Sequence, residues 1–350
     1  MARDSLLLIG PLPIEGDQLG GAKVSFRQMV VDLEKQADVS VSVVNLSRPM
    51  SGRGSLGRLT VGIRAAGSIA FALFRRGRTS DVWVLNCSSG GVFTVFPLVW
   101  VLAALMRRPL VLRAFGGNLD ERYDRANSAG RRVFMAMARR CRAVVLETDA
   151  LIIRFQSLGN VKRLPNTRSL PPGCPPRARC SRLIFLGQIR RQKGIEVLLD
   201  AMDGLSELCH VDCFGSPIES GLVHRLERQA GVDYRGEIDP GSVGEVFGGY
   251  DALVLPTFWH GEGLPGVVVE AFQCGRPVIA SDWRRIPEVV RDGDNGLLVE
   301  PRSVQALRVA ITRLVDDDEL YGRLCNGART SGDALRSDVW HARFVDWCRP

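Results

Sequence analysis

The sequence predicts an α/β protein of two doubly wound, Rossmann-like domains with a cleft between them. Three observations predict this. Short runs rich in Val, Ile and Leu alternate with longer helix-like segments along all 350 residues. The runs are apolar at successive positions, as strands of a parallel sheet covered on both faces require. The stretch "PNTRSLPPGCPPRARCS", residues 165–181, holds five prolines and so cannot form a regular element. It divides a chain long enough for two domains of ordinary size. The expected layout is a first domain at 1–170, a linker at 171–181, a second domain at 182–330 and a helical tail at 331–350 that can cross back to the first domain.

The elements follow in order. In the first half "SLLLIG", "VSVVNL", "DVWVLN", "PLVLRAF" and "AVVLET" read as strands. In the second half "RLIFLG", "HVDCFG", "DALVLP", "PVIAS" and "GLLVE" do so. Ligands of such sheets sit beyond the carboxyl ends of the strands. No run reaches the roughly 18 apolar residues of a spanning helix. The nearest is "VFTVFPLVWVLAALM", residues 92–106, which carries Pro97. Nine cysteines without a C-x-x-C pair read as reduced thiols in a cytosolic protein.

Charge is uneven. The net charge is +8, but residues 1–170 hold 25 Lys and Arg against 12 Asp and Glu, so the excess lies entirely in the first half. A basic half suits an anionic partner. "GRLTVGIRAAGSIAFALFRRGR", residues 57–78, mixes apolar residues with arginines at both ends, the pattern of a helix lying in a membrane interface.

Three segments of the second half carry chemistry. In "PTFWHGEGLPGVVVEAFQCGRPVIA" a glycine turn joins a strand to a helix that begins at Pro265. Glu262 hangs in that turn, where it can accept from ligand hydroxyls. Glu270 lies within the apolar helix, a costly place unless it faces a ligand or bonds a backbone group or an arginine. In "FLGQIRRQKGIEVLLDAM" a strand ends at Gly187 and a helix begins near Gly194, with Arg190, Arg191 and Lys193 at the joint. Cations beside free helix N–H groups suit a diphosphate. In "CGRPVIASDWRRIPEVVRDGDNGLLV" Gly275 and Pro277 shape the turn into the next strand. G-x-x-x-x-G-K-[ST] does not occur, which argues against nucleotide triphosphatases.

Together these segments resemble, over roughly residues 182–315, the C-terminal domain of the retaining glycosyltransferases of family four, of bacterial polysaccharide type, which have the GT-B fold. The resemblance implies that Glu262 holds the donor sugar, Glu270 the ribose, and Lys193 the diphosphate, with the backbone of Gly263 and Leu264 approaching its oxygens. It implies catalytic roles for Glu262, Lys193 and Arg190, and donor contacts from Gly187 and Arg191. "GPLPIEGDQLGGAKVSFRQMV" resembles the family's first glycine loop, with Gly20 and Gly21 as the pair that lets backbone approach the donor phosphates. Two departures stand out. Gln188 replaces a common arginine that shares the diphosphate, and Phe115 stands where the family has a histidine in the loop after a strand. Beyond it, "GGNLDE" offers Asn118, Asp120 and Glu121 on the acceptor side.

The implied function is transfer of a sugar from a UDP- or GDP-sugar to a glycan acceptor, lipid-linked, with retention, in cell-surface polysaccharide synthesis. The nucleotide sugar is a co-substrate and no cofactor is expected. No metal is expected either, since no Asp-x-Asp or His-rich cluster stands where the diphosphate would lie. The expected place is the inner face of the cytoplasmic membrane, on anionic lipid. Phe115 and Gln188 leave open a non-catalytic nucleotide-sugar-binding or scaffold protein of the same fold. A nucleic-acid partner is not expected, because no basic run interleaved with aromatics appears.

Overall fold

A computed structural model describes residues 3–13, 20–47, 69–169 and 178–349. The chain forms two compact units: Met1–Pro165 with Ser337–Pro350, and Asn166–Arg336. The division falls before Asn166 because Asn166 and Arg168 bond to Leu264, Glu270 and Gln273 of the second unit. Of the linker expected at 171–181, residues 171–177 lie outside the described residues.

The first unit is built on a parallel sheet in the order β2-β1-β3-β4-β5-β6. Its strands are β1 (Asp4–Gly10), β2 (Val39–Asn45), β3 (Val82–Ser88), β4 (Leu110–Phe115), β5 (Ala143–Leu146) and β6 (Val161–Arg163). Side chains alternate across a strand, so a strand covered on both faces is apolar throughout. Leu7 and Ile9 of β1 enter one core with Trp83, Leu85 and Phe96. Leu6 and Leu8 enter the other, with Val82, Val84 and Phe26. Helices α2 (69–77), α3 (Val95–Leu105), α4 (Leu119–Arg125), α5 (Ser128–Arg139) and α6 (Asp149–Phe155) supply side chains to the first core. Helix α1 (Gly21–Glu34) covers the second. Of the interfacial helix expected at 57–78, residues 57–68 lie outside the described residues and 69–77 are helical.

The second unit repeats the plan in the order β12-β11-β10-β7-β8-β9, again all parallel. Its strands are β7 (Arg182–Leu186), β8 (His210–Phe214), β9 (Val232–Tyr234), β10 (Ala252–Leu255), β11 (Val278–Ser281) and β12 (Gly296–Val299). The helices between them are α7 (Ile195–Met202), α8 (Ser220–Leu226), α9 (Val243–Gly248) and α10 (Gly266–Gln273). After β12 come α11 (Val304–Asp316) and α12 (Asp318–Ala334). Ser303 and Asp317 cap α11 and α12 by accepting from Ala306 and Leu320 N–H groups. The last helix, α13 (Ser337–Cys348), returns to the first unit and packs Phe344, Val345 and Cys348 beside α1.

Candidate active site

The second sheet reverses its direction of growth beside β7. β8 and β9 extend it on one side, and β10 to β12 on the other. The helices after β7 and β10 therefore lie on opposite faces: Ile195 and Leu198 of α7 join one core, Val268 and Ala271 of α10 the other. The loops leaving the two strands part at this point and open the crevice where such sheets bind ligands.

Those loops are tied together. Phe258 N–H donates to the Gln192 carbonyl at 2.9 Å, and the Thr257 hydroxyl oxygen lies 3.3 Å from the same carbonyl. Gly194 has φ of 81°, and a Cβ there would lie 2.1 Å from the Pro256 carbonyl oxygen, so only glycine fits. The tie brings the cation of one loop onto the carboxylate of the other. Lys193 Nζ lies 2.7 Å from Glu262 Oε2, and the Thr257 hydroxyl donates to the same oxygen at 2.8 Å. Both side chains are largely buried, at 13% and 7% exposure. Trp259 provides a platform beside them, with Lys193 Nζ 4.8 Å and Arg190 Cζ 5.6 Å from its ring centre. The Trp259 carbonyl in turn accepts from Trp283 Nε1 at 2.9 Å.

The expected residues divide accordingly. Arg190, Lys193 and Glu262 come together. Arg190 is held by Gln192, and its buried Nε has no partner among the described residues. Arg191 turns instead to Glu196, at 2.7 Å, and with Phe258 and Arg302 lines a depression of about 360 Å³. Gly187 follows β7 and donates to the Phe214 carbonyl at 3.0 Å. The N–H groups of Gly263 and Leu264 meet no acceptor among the described residues, while the Leu264 carbonyl accepts from Asn166 Nδ2 at 2.8 Å. Neither α7 nor α10 has a side-chain cap, so first-turn N–H groups stay open to an anion. Pro265 precedes α10 as its N-cap, one position before the expected start within the helix.

Glu270 is buried and paired. Its Oε1 lies 2.6 Å from Arg168 Nε, in an ion pair whose side chains are 12% and 5% exposed. Of the two sequence readings of Glu270, the arginine partner is present. Oε2 has no partner among the described residues, so it can still accept from a ligand.

In the first unit Gly20 is the uncapped N-cap of α1 and Gly21 its first residue. A Cβ at either would meet nothing within 4 Å among the described residues. Asn118 and Glu121 line a depression of about 480 Å³ with Phe93, Arg122, Arg125 and Asn127. Asp120 accepts from Glu121 N–H at 3.0 Å. Phe115 ends β4, as the strand reading of "PLVLRAF" expected, and pairs in register with Ser88, so it does not stand in the loop where the resemblance places the family's histidine. Its buried ring lies in the core 4.3 Å from the Arg113 guanidinium. His260 is exposed, and its ring stands 5.6 Å from that of Trp283.

Among the described residues, His210, Asp212 and Asp233 form the one group with spacing suited to a metal. Arginine already occupies it: Arg235 lies 2.6 Å from Asp212 and 2.8 Å from Asp233. Tyr250 donates to Asp212 at 2.7 Å. Burial alone would raise the Asp212 carboxyl, but these bonds outweigh it and hold it below its usual range. The group reads as an ion-pair network on the middle of β8 and β9, away from the strand ends that carry Lys193 and Glu262.

Residues 180–317 match the family described as glycosyl transferases group 1. A phosphatidyl-myo-inositol mannosyltransferase of Mycobacterium leprae is 29% identical over 266 residues, 74% of this chain and 66% of that protein. Among solved structures, a sucrose-phosphate synthase of Thermosynechococcus elongatus superposes with a TM-score of 0.71 at 18% identity, covering 98% of each chain. Anabaena Alr3699/HepE in complex with UDP and glucose does so with 0.68, at the same identity and coverage. At such identity the likeness is one of fold: two parallel-sheet Rossmann-like units, as in GT-B glycosyltransferases.

The matched group 1 segment holds Arg190, Lys193, Glu262 and Glu270. Arg168 and Asn166 lie before it, and sequence reasoning missed both. The signal available was a charged, polar "NTR" at the head of a proline-rich stretch. Thr257 and Trp259 were missed inside the quoted motif, because neither carries a charge that demanded a partner.

Proposed function

We propose that this protein is a glycosyltransferase that moves a sugar from a UDP- or GDP-sugar to a glycan acceptor, with retention of configuration, in cell-surface polysaccharide synthesis. The observation that carries the reading is the Lys193–Glu262 pair at the reversal point of the second sheet, among open N–H groups. The group 1 match over that segment and the mannosyltransferase relative support it.

In this reading the diphosphate enters beside Lys193 and Arg190 and takes hydrogen bonds from Gly263 and Leu264 N–H. These donors stabilise the charge that grows on the leaving diphosphate, which is a large part of such catalysis. Glu262 accepts from donor-sugar hydroxyls through Oε1, its Oε2 being fixed by Lys193 and Thr257. The nucleophile's proton passes to the donor phosphate, so Phe115 in place of a histidine removes no required base. Arg190 takes the part of the arginine that Gln188 replaces. The cations and N–H groups do a metal's work, and activity should persist in excess EDTA; loss restored by manganese or magnesium would refute that. The acceptor is lipid-linked and the first unit docks on anionic membrane.

The test is a thermal-shift screen of UDP- and GDP-sugars, followed by transfer with the stabilising donor. A bound donor raises apparent stability by several kcal/mol at saturating concentration, about 2.7 at 100 times Kd. Binding without hydrolysis or transfer to any glycan would favour the second reading, a nucleotide-sugar-binding protein.

A further inference from the structure

We infer that Arg168 is a positioning residue, which presents the Glu270 carboxylate to the ribose of a bound nucleotide. The inference rests on the donor reading above and extends it to a residue outside the matched segment.

Arg168 is held from several sides. Nε meets Glu270 Oε1 at 2.6 Å, and Nη1 donates to Asn166 Oδ1 at 2.6 Å and to the Thr167 carbonyl at 2.9 Å. Its own carbonyl accepts from Gln273 Nε2 at 2.6 Å. The guanidinium rests on the first turn of α10. A Cβ on Gly266 would fall 1.7 Å from Nη2 and 2.6 Å from Cζ, so Gly266 is the floor on which the guanidinium lies.

The geometry leaves one oxygen of the carboxylate to spare. Arg168 engages Oε1, and Oε2 has no partner among the described residues. A carboxylate buried so deep is costly unless a cation pairs with it. A planar guanidinium also fixes its rotation, which an ammonium on a flexible stem does not. A pair that served only to tie the start of the unit to α10 would have no use for a spare acceptor. Glu262 repeats the arrangement, with Oε2 bound by Lys193 and Thr257.

Isothermal titration of the full chain with UDP and GDP, and with dUDP and dGDP, tests the inference. A hydroxyl bonded to a carboxylate should favour the ribonucleotide by about 10-fold or more. In Arg168→Lys that preference should shrink to about 2-fold. The donor KM should rise with kcat little changed, as expected for binding lost equally from ground and transition states. Gly266→Ala provides a second route. It keeps the arginine and its charge but displaces the guanidinium, and should give the same loss should Arg168→Lys prove unstable. Folded variants that retain the full ribo-to-deoxy preference would overturn the inference. So would wild-type protein that binds UDP and dUDP equally, although nucleotide binding itself would then stand. If wild-type protein binds neither UDP nor GDP, the donor reading falls and this inference with it.

Discussion

Lys193 and Glu262 neutralise each other while no ligand is present, so an incoming diphosphate shares an ammonium already bonded to a carboxylate. The ammonium has three donors and spends one on Glu262. The carboxylate then fixes the cation rather than consuming it. Lys193→Ala should lower turnover about 100- to 1000-fold, the cost of losing one contact to a developing anion, and Glu262→Gln comparably, because it weakens both the acceptor for the sugar hydroxyls and the group that fixes Lys193. Their effects on stability should differ. Lys193→Ala leaves a largely buried carboxylate with Thr257 alone, which is the costly way to break such a pair. Glu262→Gln leaves the cation over Trp259. Turnover with the cognate donor and melting curves of both variants check this, and near-normal rates in both would refute the assignment. At this scale the sequence was informative wherever partners lie in motif loops. It could not say which arginine meets Glu270, because Arg168 stands 102 residues away in a stretch whose prolines read as linker. At Phe115 the apolar run "PLVLRAF" was the better guide than the family's loop histidine, since β3 continues pairing to Ser88 and holds Phe115 in the sheet.

Among the elements, strands with continuous apolar runs were legible, and β6 and β9 were not. Both are edge strands of three residues, "VKR" and "VDY", with too little apolar character to show a period. The C-terminal helix α13 is informative in another way. It buries His341 against Asp32 of α1, with Nδ1 2.8 Å from Oδ2, while Nε2 is buried without a partner among the described residues. Burial pushes the His341 pKa below its ordinary value of 6.5, outweighing the pull of Asp32, and nearby Arg113 pushes the same way. Burial would raise Asp32, but bonds from His341 and Gln28 outweigh it, and the carboxyl is held below its ordinary value of 3.8. Both shifts have the same sign for stability. The histidine's contribution is full above pH 6.5 and is lost as pH falls through its lowered value; that of Asp32 follows below pH 3.8. Protection of α13 and α1 amides from hydrogen exchange should therefore fall on acidification from pH 7 to 5, by up to ~1.4 kcal/mol per pH unit for one group. His341→Gln should flatten the slope in that window. An unchanged slope would show that another group is responsible.

For the whole molecule the decisive quantity is charge. The first unit holds 26 Lys and Arg against 14 Asp and Glu, a net of +12, and the second 20 against 24, a net of −4. No helix among the described residues is long and apolar enough to cross a membrane. The first unit nevertheless exposes large apolar side chains on neighbouring helices. On α3, Leu98, Val101 and Leu105 are 68%, 48% and 75% exposed, and on α2 Phe71 and Phe74 are 66% and 53%. The segments just after the two helices are linked, with Arg108 Nη2 donating to the Arg78 carbonyl at 2.6 Å. Exposed Arg75, Arg76, Arg78 and Arg107 border these side chains. An apolar surface rimmed by arginines suits the interface of an anionic bilayer, where each basic residue contributes about 1 kcal/mol near the surface. The protein should co-sediment with vesicles rich in acidic phospholipid, and binding should fall between roughly 0.05 and 0.5 M salt as screening tightens. Leu98→Glu with Leu105→Glu should abolish most binding, because both point to solvent and their loss leaves the α3 core face of Phe96, Val99 and Ala103 intact. Transfer to a soluble acceptor analogue should be unaffected in that variant, and transfer to acceptor in vesicles should drop. If wild-type protein stays in the supernatant with strongly anionic vesicles at low salt, docking is wrong and a soluble glycan becomes the better acceptor.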